Sequence, residues 1–302
     1  MRHFQFIKYT KVWFALSLIT ILIGVGAMIY NKVTFGSALE YGIDFTGGSS
    51  MEFSFEKPAD TDSLYNAIEA VYPKSVSQIT VTDQNTYLVQ AKEMSEDQLQ
   101  QVQASIGQSL GKFEMLRFTT IGPKIGGTLK QKALIALFVA MGAIVLYLAY
   151  AFRKVPKRVS PWKFGICAVA ALLHDVLTVV GIFALLGYEI NAFIITALLT
   201  IIGFSVHDTI VVFDRIRENL KKQTRDDTFG QVADISLNQT IARSINTSLS
   251  TLFPLVALYI FGAPSIKTFI FALIVGITIG TYSSIFIASP LLTLWQERAR
   301  VR

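Results

Sequence analysis

The sequence predicts an α-helical polytopic membrane protein with six transmembrane helices and an inserted extracytoplasmic α+β domain. Three observations carry that prediction. Of the 302 residues, 52% are hydrophobic and only 16% are charged, where a soluble domain carries about 25% charge. Six apolar runs are each long enough to cross a hydrocarbon core of about 30 Å. Between the first run and the other five lies a stretch with its own strand and helix periodicities.

The apolar runs cover 12–30, 133–152, 164–187, 190–213, 244–261 and 268–295. The first is longer than the core of a cleaved signal peptide and has no small-x-small site after it, so it reads as a retained span. Pro290 is expected to bend or end the last span and leave 291–295 at the interface. Basic residues mark one side. Arg2, Lys8 and Lys11 precede span one, and Arg153, Lys154, Lys157, Arg158 and Lys163 lie between spans two and three. Arg215, Arg217, Lys221, Lys222 and Arg225 lie between spans four and five, and Arg298, Arg300 and Arg302 follow span six. The opposite loops hold Lys267 alone, so both termini are expected in the cytoplasm. The net charge of +6 is then a matter of membrane orientation and calls for no nucleic acid. The single cysteine, Cys167, allows neither an intrachain disulfide nor a cysteine metal cluster.

Four regions follow: 1–30 as cytoplasmic N-terminus and first helix, 31–132 as outer domain, 133–295 as the five-helix remainder, and 296–302 as a cytoplasmic tail. In the outer domain, 51–56 alternates as a strand and 61–72 has helical spacing, with Leu64, Ala67, Ile68 and Val71 on one face. Segments 76–81 and 87–91 read as strands joined through Asp83, Gln84 and Asn85. Ser95 and Gln98 form a capping-box pair ahead of a helix bearing Leu99, Val102, Ile106 and Leu110. Segment 113–120 reads as a last strand. The order β-α-β-β-α-β fits a ferredoxin-like sandwich.

Ionisable groups inside spans cost at least ~2.5–3.5 kcal/mol for Asp or Arg at mid-helix, so each needs a reason. Asp208 lies in span four, near its cytoplasmic end, and Arg243 stands at the cytoplasmic start of span five; similar depth permits an ion pair. Burial and a nearby arginine act oppositely on a carboxyl, so Asp208 and Arg243 are candidates for a proton relay, with a fixed helix-locking bridge as the alternative. His174, Asp175 and His207 are further relay candidates; interhelical hydrogen bonding is the plainer reading of the histidines, and Asp175 stands between relay and helix glue. Asn246, Thr247 and Ser250 extend Arg243 into a polar stripe on one helical face, and Pro254 supplies a kink. Asp214, Arg215 and Arg217 begin a cytoplasmic amphipathic segment through 219–231, with 228–237 flat on the membrane. Gly42, Asp44, Gly47 and Gly48 read as a joint between span one and the outer domain. The glycines suit positive φ, and Asp44 caps or braces the turn. No catalytic residue, metal site or cofactor is expected.

Four stretches resemble the SecD/SecF family of the resistance-nodulation-division superfamily: Gly42-Ile43-Asp44-Phe45-Thr46-Gly47-Gly48; His174-Asp175-Val176; His207-Asp208 through Val211-Val212-Phe213-Asp214-Arg215-Ile216-Arg217-Glu218-Asn219; and Ala242-Arg243-Ser244-Ile245-Asn246-Thr247. The resemblance covers nearly the whole chain. It implies a six-span half that pairs with SecD in the bacterial inner membrane. It further implies partnership with the SecYEG channel, YajC and YidC, contact with membrane lipid and with translocating unfolded polypeptide, and use of the proton motive force. In the family the positions matching Asp208 and Arg243 carry the relay. His207 departs from the Asn of the commoner family form, which leaves a proton role special to His207 unsupported.

Two other functions compete. A lipid or small-solute exporter of the same superfamily usually has larger outer domains and both halves in one chain. A non-transporting scaffold needs no relay. An aspartyl protease reading fails for want of a Gly-x-Gly-Asp signature, and no nucleotide motif is present.

Overall fold

The computed structural model describes residues 4–83, 85–153, 159–222 and 227–301. The basic residues Arg2, Lys154, Lys157, Arg158, Arg225 and Arg302, Gln84 of the hairpin and the side chain of Arg300 lie outside the described residues. Six helices among the described residues are long and apolar enough to cross a membrane. They are α1 (Thr10–Phe35), α5 (Pro123–Ala151), α6 (Pro161–Leu186), α7 (Ala192–Lys222), α8 (Phe229–Phe261) and the pair α9 (Pro264–Ser283) and α10 (Ser289–Val301), which are joined by a π turn, Ser284–Ala288.

Several of these helices outrun the apolar runs that announce them. α5 begins at Pro123, in the first-turn position where a missing N–H costs nothing. α8 begins at Thr228, whose side chain accepts from Gln231 N while Gln231 returns a bond to Thr228 N. The segment 228–237 is therefore the capped start of the same helix that forms the fifth span, and it packs on the bundle. Its Phe229, Val232, Ala233 and Leu237 are buried in one apolar core with Phe6, Phe152, Phe164 and Phe213. Asp234 Oδ1 accepts from Ile7 N at 2.9 Å, and Asn238 bonds both the N–H and the carbonyl of Phe4. Pro290 does not end the sixth span. Proline lacks the N–H for residue 286 and crowds its carbonyl, and the helix widens by one residue per turn ahead of it before continuing as α10.

α6, α7 and α9 form the buried centre of the bundle, with α1, α5 and α8 around them. The buried residues of α1 are small and spaced by seven, Thr10, Ser17 and Gly24, and Gly24 is where α1 crosses α6. At that crossing, a Cβ on Gly24 would come within 2.7 Å of the Gly181 Cα.

The outer domain follows α1 through a short helix α2 (Ile43–Thr46). It comprises β1 (Gly48–Phe55), α3 (Thr61–Glu69), β2 (Val76–Asp83), β3 (Thr86–Ala91), α4 (Glu96–Leu110) and β4 (Phe113–Ile121). The sheet order is β2-β3-β1-β4, with antiparallel pairing throughout. Met51, Phe53, Leu64, Ile68, Val89, Val102 and Ile106 close a core between the sheet and the two helices. The Ser95–Gln98 capping box forms as the spacing predicts, and Asp60 caps α3 through Ser63 N.

The α1–α6 crossing generates a stability prediction. Gly181→Leu forces two backbones apart and should cost about 1–3 kcal/mol as overpacking, read as a lower Tm in detergent. Gly26→Ala, where an added Cβ meets nothing within 4 Å, should not lower it.

Candidate functional site

Span helices place two carboxyls near the middle of the bundle in contrasting surroundings. Asp175 on α6 is fully buried. Its Oδ2 accepts from Ser205 Oγ of α7 at 2.6 Å and from Ser283 Oγ of α9 at 2.9 Å, and its Oδ1 lies 3.0 Å from His174 Nδ1. Three helices thus converge on one buried carboxyl group, whose oxygens are met by hydrogen-bonding partners. His174 Nε2 makes no hydrogen bond among the described residues. Its ring faces Tyr282 at 6.3 Å, and Tyr282 donates to the carbonyl of Trp13 on α1.

Asp208 on α7 is also buried, but its Oδ2 makes no hydrogen bond among the described residues, nor does Ser244 Oγ on α8. Ser244, Ser284, His207 and Arg243 are the polar groups whose influence it feels. Ser284, on the π turn, shares a 2.8 Å hydroxyl–hydroxyl bond with Thr209 and donates to the Gly280 carbonyl. Adjacent residues of one turn, Ser283 and Ser284, therefore stand beside the two carboxyls.

The Asp208–Arg243 ion pair suggested by similar depth is not formed: no salt bridge joins them, and Arg243 is exposed. His207, Asn246 and Ser250 are exposed as well, with Thr247 half-buried. Thr247 Oγ1 bonds the Arg243 carbonyl and Ser250 Oγ the Thr247 carbonyl of their own helix. The polar stripe thus looks out of this bundle. Ser236, Thr240, Ser244 and Ser248 are the buried hydroxyls of α8, and Ser248 pairs with Thr281 of α9 at 2.5 Å. At the far end of α7, Asp214 pairs with Arg217 at 2.5 Å, while Arg215 pairs with Glu218 and Gln239.

The glycine turn is more than a link from span one. Gly47 (φ 76°) and Gly48 (φ 135°) have the positive φ expected of them. A Cβ at Gly47 would meet Pro123 Cα at 2.6 Å, and one at Gly48 would meet the Ala91 carbonyl oxygen at 2.6 Å. Gly42 has an ordinary φ of −67°; there the missing side chain makes room for Asn191 and Glu189 of the α6–α7 turn. Asp44 ties the joint to the bundle: its Oδ2 accepts from Ala192 N at 2.8 Å, at the first residue of α7. Tyr41 and Ile190 form a parallel bridge, with Ile190 N donating to Glu40 O at 2.7 Å and Gly42 N to Ile190 O at 3.1 Å. Gln90 of β3 donates to Glu189 Oε2 at 2.7 Å.

Sequence reasoning missed Ser205, Ser283, Ser284, Thr209, Glu189 and Gln90. The only signal for the first four was hydroxyls at helical spacing within spans four and six. Glu189 was visible as the acid in a turn that otherwise holds no charge.

The model for the C-terminal region of the protein export membrane protein SecD/SecF matches residues 101–298, and the SecD/SecF GG motif model matches residues 34–59. The protein translocase subunit SecF of Thermobaculum terrenum is 44% identical, over 96% of this chain and 94% of its own length. Its counterpart in Synechocystis is 34% identical, over 96% and 93%. The crystal structure of SecDF from Thermus thermophilus, a translocon-associated membrane protein, superposes with a TM-score of 0.85 at 34% identity over 98% of this chain. SecDF in a super-membrane-facing form gives 0.69 at 33% identity over 100%. The chain spans 39% and 40% of those two SecDF chains.

Burial holds the Glu189 carboxyl above the usual carboxylate range; the Gln90 bond opposes this, and the charges of Glu40 and Asp44 add to it. A raised acid keeps its proton in the folded joint at a pH where the unfolded chain has lost it. Local stability is therefore greatest on the acid side and is lost as pH rises through the raised value. Hydrogen exchange at the Gly42 and Ile190 amides should accelerate with pH beyond its intrinsic chemistry, and Glu189→Gln should remove the excess.

Proposed function

This chain belongs to the SecD/SecF family of protein-export membrane proteins, and from that premise we propose that it couples the proton motive force to the outward movement of secreted polypeptide. It is a multi-pass membrane protein. The observation that carries the proton reading is Asp208: a carboxyl buried in mid-span, one oxygen without a hydrogen bond, beside the exposed Arg243. Loading a proton removes a costly buried charge, and releasing one requires a counter-charge to approach. Arg243 of α8, next in sequence to Ser244, is the counter-charge that approaches when α8 moves. Each proton crossing 100 mV releases about 2.3 kcal/mol. Asp175, tied on both oxygens, is the anchor of the three-helix seam, with His174 as its neighbour.

A SecD partner covers the stripe of His207, Arg243, Asn246 and Ser250. Polar and small residues pack helix against helix in lipid, where an unpaired polar face is costly. A single chain that joins SecD and SecF in Thermus thermophilus supports that pairing, as does the match of this chain to separate SecF subunits. SecYEG, YajC and YidC are the further partners proposed for the assembly, with unfolded polypeptide as cargo. The distribution of lysine and arginine favours the inner membrane with both termini cytoplasmic. The outer domain's β-α-β-β-α-β order and sheet order β2-β3-β1-β4 support a ferredoxin-like type, and it falls within 31–132, between the end of α1 at Phe35 and the start of α5 at Pro123. It grips emerging polypeptide.

Asp208→Asn should abolish both proton flux and proton-stimulated export in membrane vesicles while co-purification with SecD is unchanged. Wild-type flux and secretion in that variant would defeat the relay. Arg243→Ala should lose the same two activities, and Arg243→Lys, which keeps the charge, should retain part of them.

A further inference from the structure

The outer domain touches the bundle at a place the chain's connectivity does not require. Covalently, it hangs from α1 on one side and continues into α5 on the other. Yet, besides its packing on α5, it makes hydrogen bonds to the turn between α6 and α7. Asp44 caps α7 through Ala192 N, the backbones of residues 40–42 pair with Ile190, and Gln90 bonds Glu189. Gly42 is bare where Glu189 and Asn191 pack against it.

Two features make this turn different from a resting surface. First, it joins the helices that carry the intramembrane carboxyls: Asp175 on α6, and Asp208 with Ser205 on α7. Second, Glu189 reaches an interior strand. β3 lies between β2 and β1 in the sheet, and the backbone of its last residue, Ala91, abuts Gly48 at the start of β1. A displacement of the α6–α7 turn is thus delivered to the middle of the sheet and to both glycines of the joint. Between Glu189 and Asp175, Phe183, Val179, Ile194 and Leu198 form an apolar core. The contact is mechanical in kind.

We propose that the α6–α7 turn and the glycine joint form a transmission clasp, in which Asp44, Gln90 and Glu189 are positioning residues that convert helix displacement at the carboxyls into movement of the outer sheet. The inference rests on the proton-coupled reading above. It assigns to Gln90 and Glu189 a part in coupling and none in proton transfer.

The test measures proton flux and proton-stimulated export together, in membranes containing the whole export assembly. Asp44→Ala combined with Gln90→Ala should leave proton flux at the wild-type level and drop export to the level seen without a proton gradient. Gln90→Glu alone sets two carboxylates against each other and should do the same. The exchange pair Gln90→Glu with Glu189→Gln restores a donor facing an acceptor and should recover export. Normal export in the first two variants, flux falling in step with export, or an exchange pair that fails to recover each overturns the clasp. Asp208→Asn in the same vesicles separates the two readings. If it keeps flux, the relay is wrong; if it loses flux while Asp44→Ala with Gln90→Ala keeps it, the relay and the clasp are distinct parts.

Discussion

A polar group in lipid has no water to turn to, and this bundle is arranged around that constraint at Asp175. Its carboxylate is met by Ser205 and Ser283 from two other helices and by His174 beside it. Hydroxyl side chains are short, so three helix backbones must come close. α9 allows this with glycine at two positions one turn apart. A Cβ at Gly276 would overlap Ile201, and one at Gly280 would lie 2.9 Å from the Ser205 Cβ. The glycines let α7 approach, the approach aims Ser205, and the serine satisfies Asp175. Removing any member leaves the others strained or unsatisfied.

The π turn belongs to the same arrangement. Pro290 widens the helix just ahead of itself, and Ser289 Oγ bonds the Ser284 carbonyl within the widened turn. The result is that Ser283 faces Asp175 while its neighbour Ser284 faces Thr209 and the region of Asp208. Single-turn π segments inside helices occur often at functional sites. Here Ser283, the last residue of α9, and Ser284, the first of the turn, reach the two carboxyl environments from adjacent positions.

The outer domain was the most legible region. Its periods of 2 and 3.6 report one buried face per element, and Ser95 with Gln98 marks a helix start by local chemistry alone. Span number was equally plain, because it depends on hydropathy. Span length was not: α5 and α8 continue beyond the apolar runs on Pro123 and on the Thr228–Gln231 cap, and caps, unlike lipid, leave little trace in hydropathy. The acidic members of the site stood out as charges in apolar runs. Their partners did not, since serine and threonine in a span bond their own helix carbonyls as readily as a neighbour. Nor does periodicity tell which polar face of α8 turns inward. Ser244 and Ser248 do, whereas Arg243 and Asn246 turn away.

That division between inward and outward faces separates the two carboxyls by role. Asp175 has every lone pair of consequence engaged, by groups on helices held together by close glycine contacts. A change in its charge would undo the seam itself. Asp208 has an oxygen with no hydrogen bond and lies against Ser244, one residue from an arginine that faces out of the bundle. Its surroundings are incomplete within this chain, and completing them requires either movement of α8 or a neighbouring bundle on the exposed stripe. A site that is finished is a structural anchor. The open site sits on the same helix whose outer end is met by Asp44 of the joint. Incomplete surroundings at the middle of α7 and firm attachment at its outer end are what the proposed clasp requires.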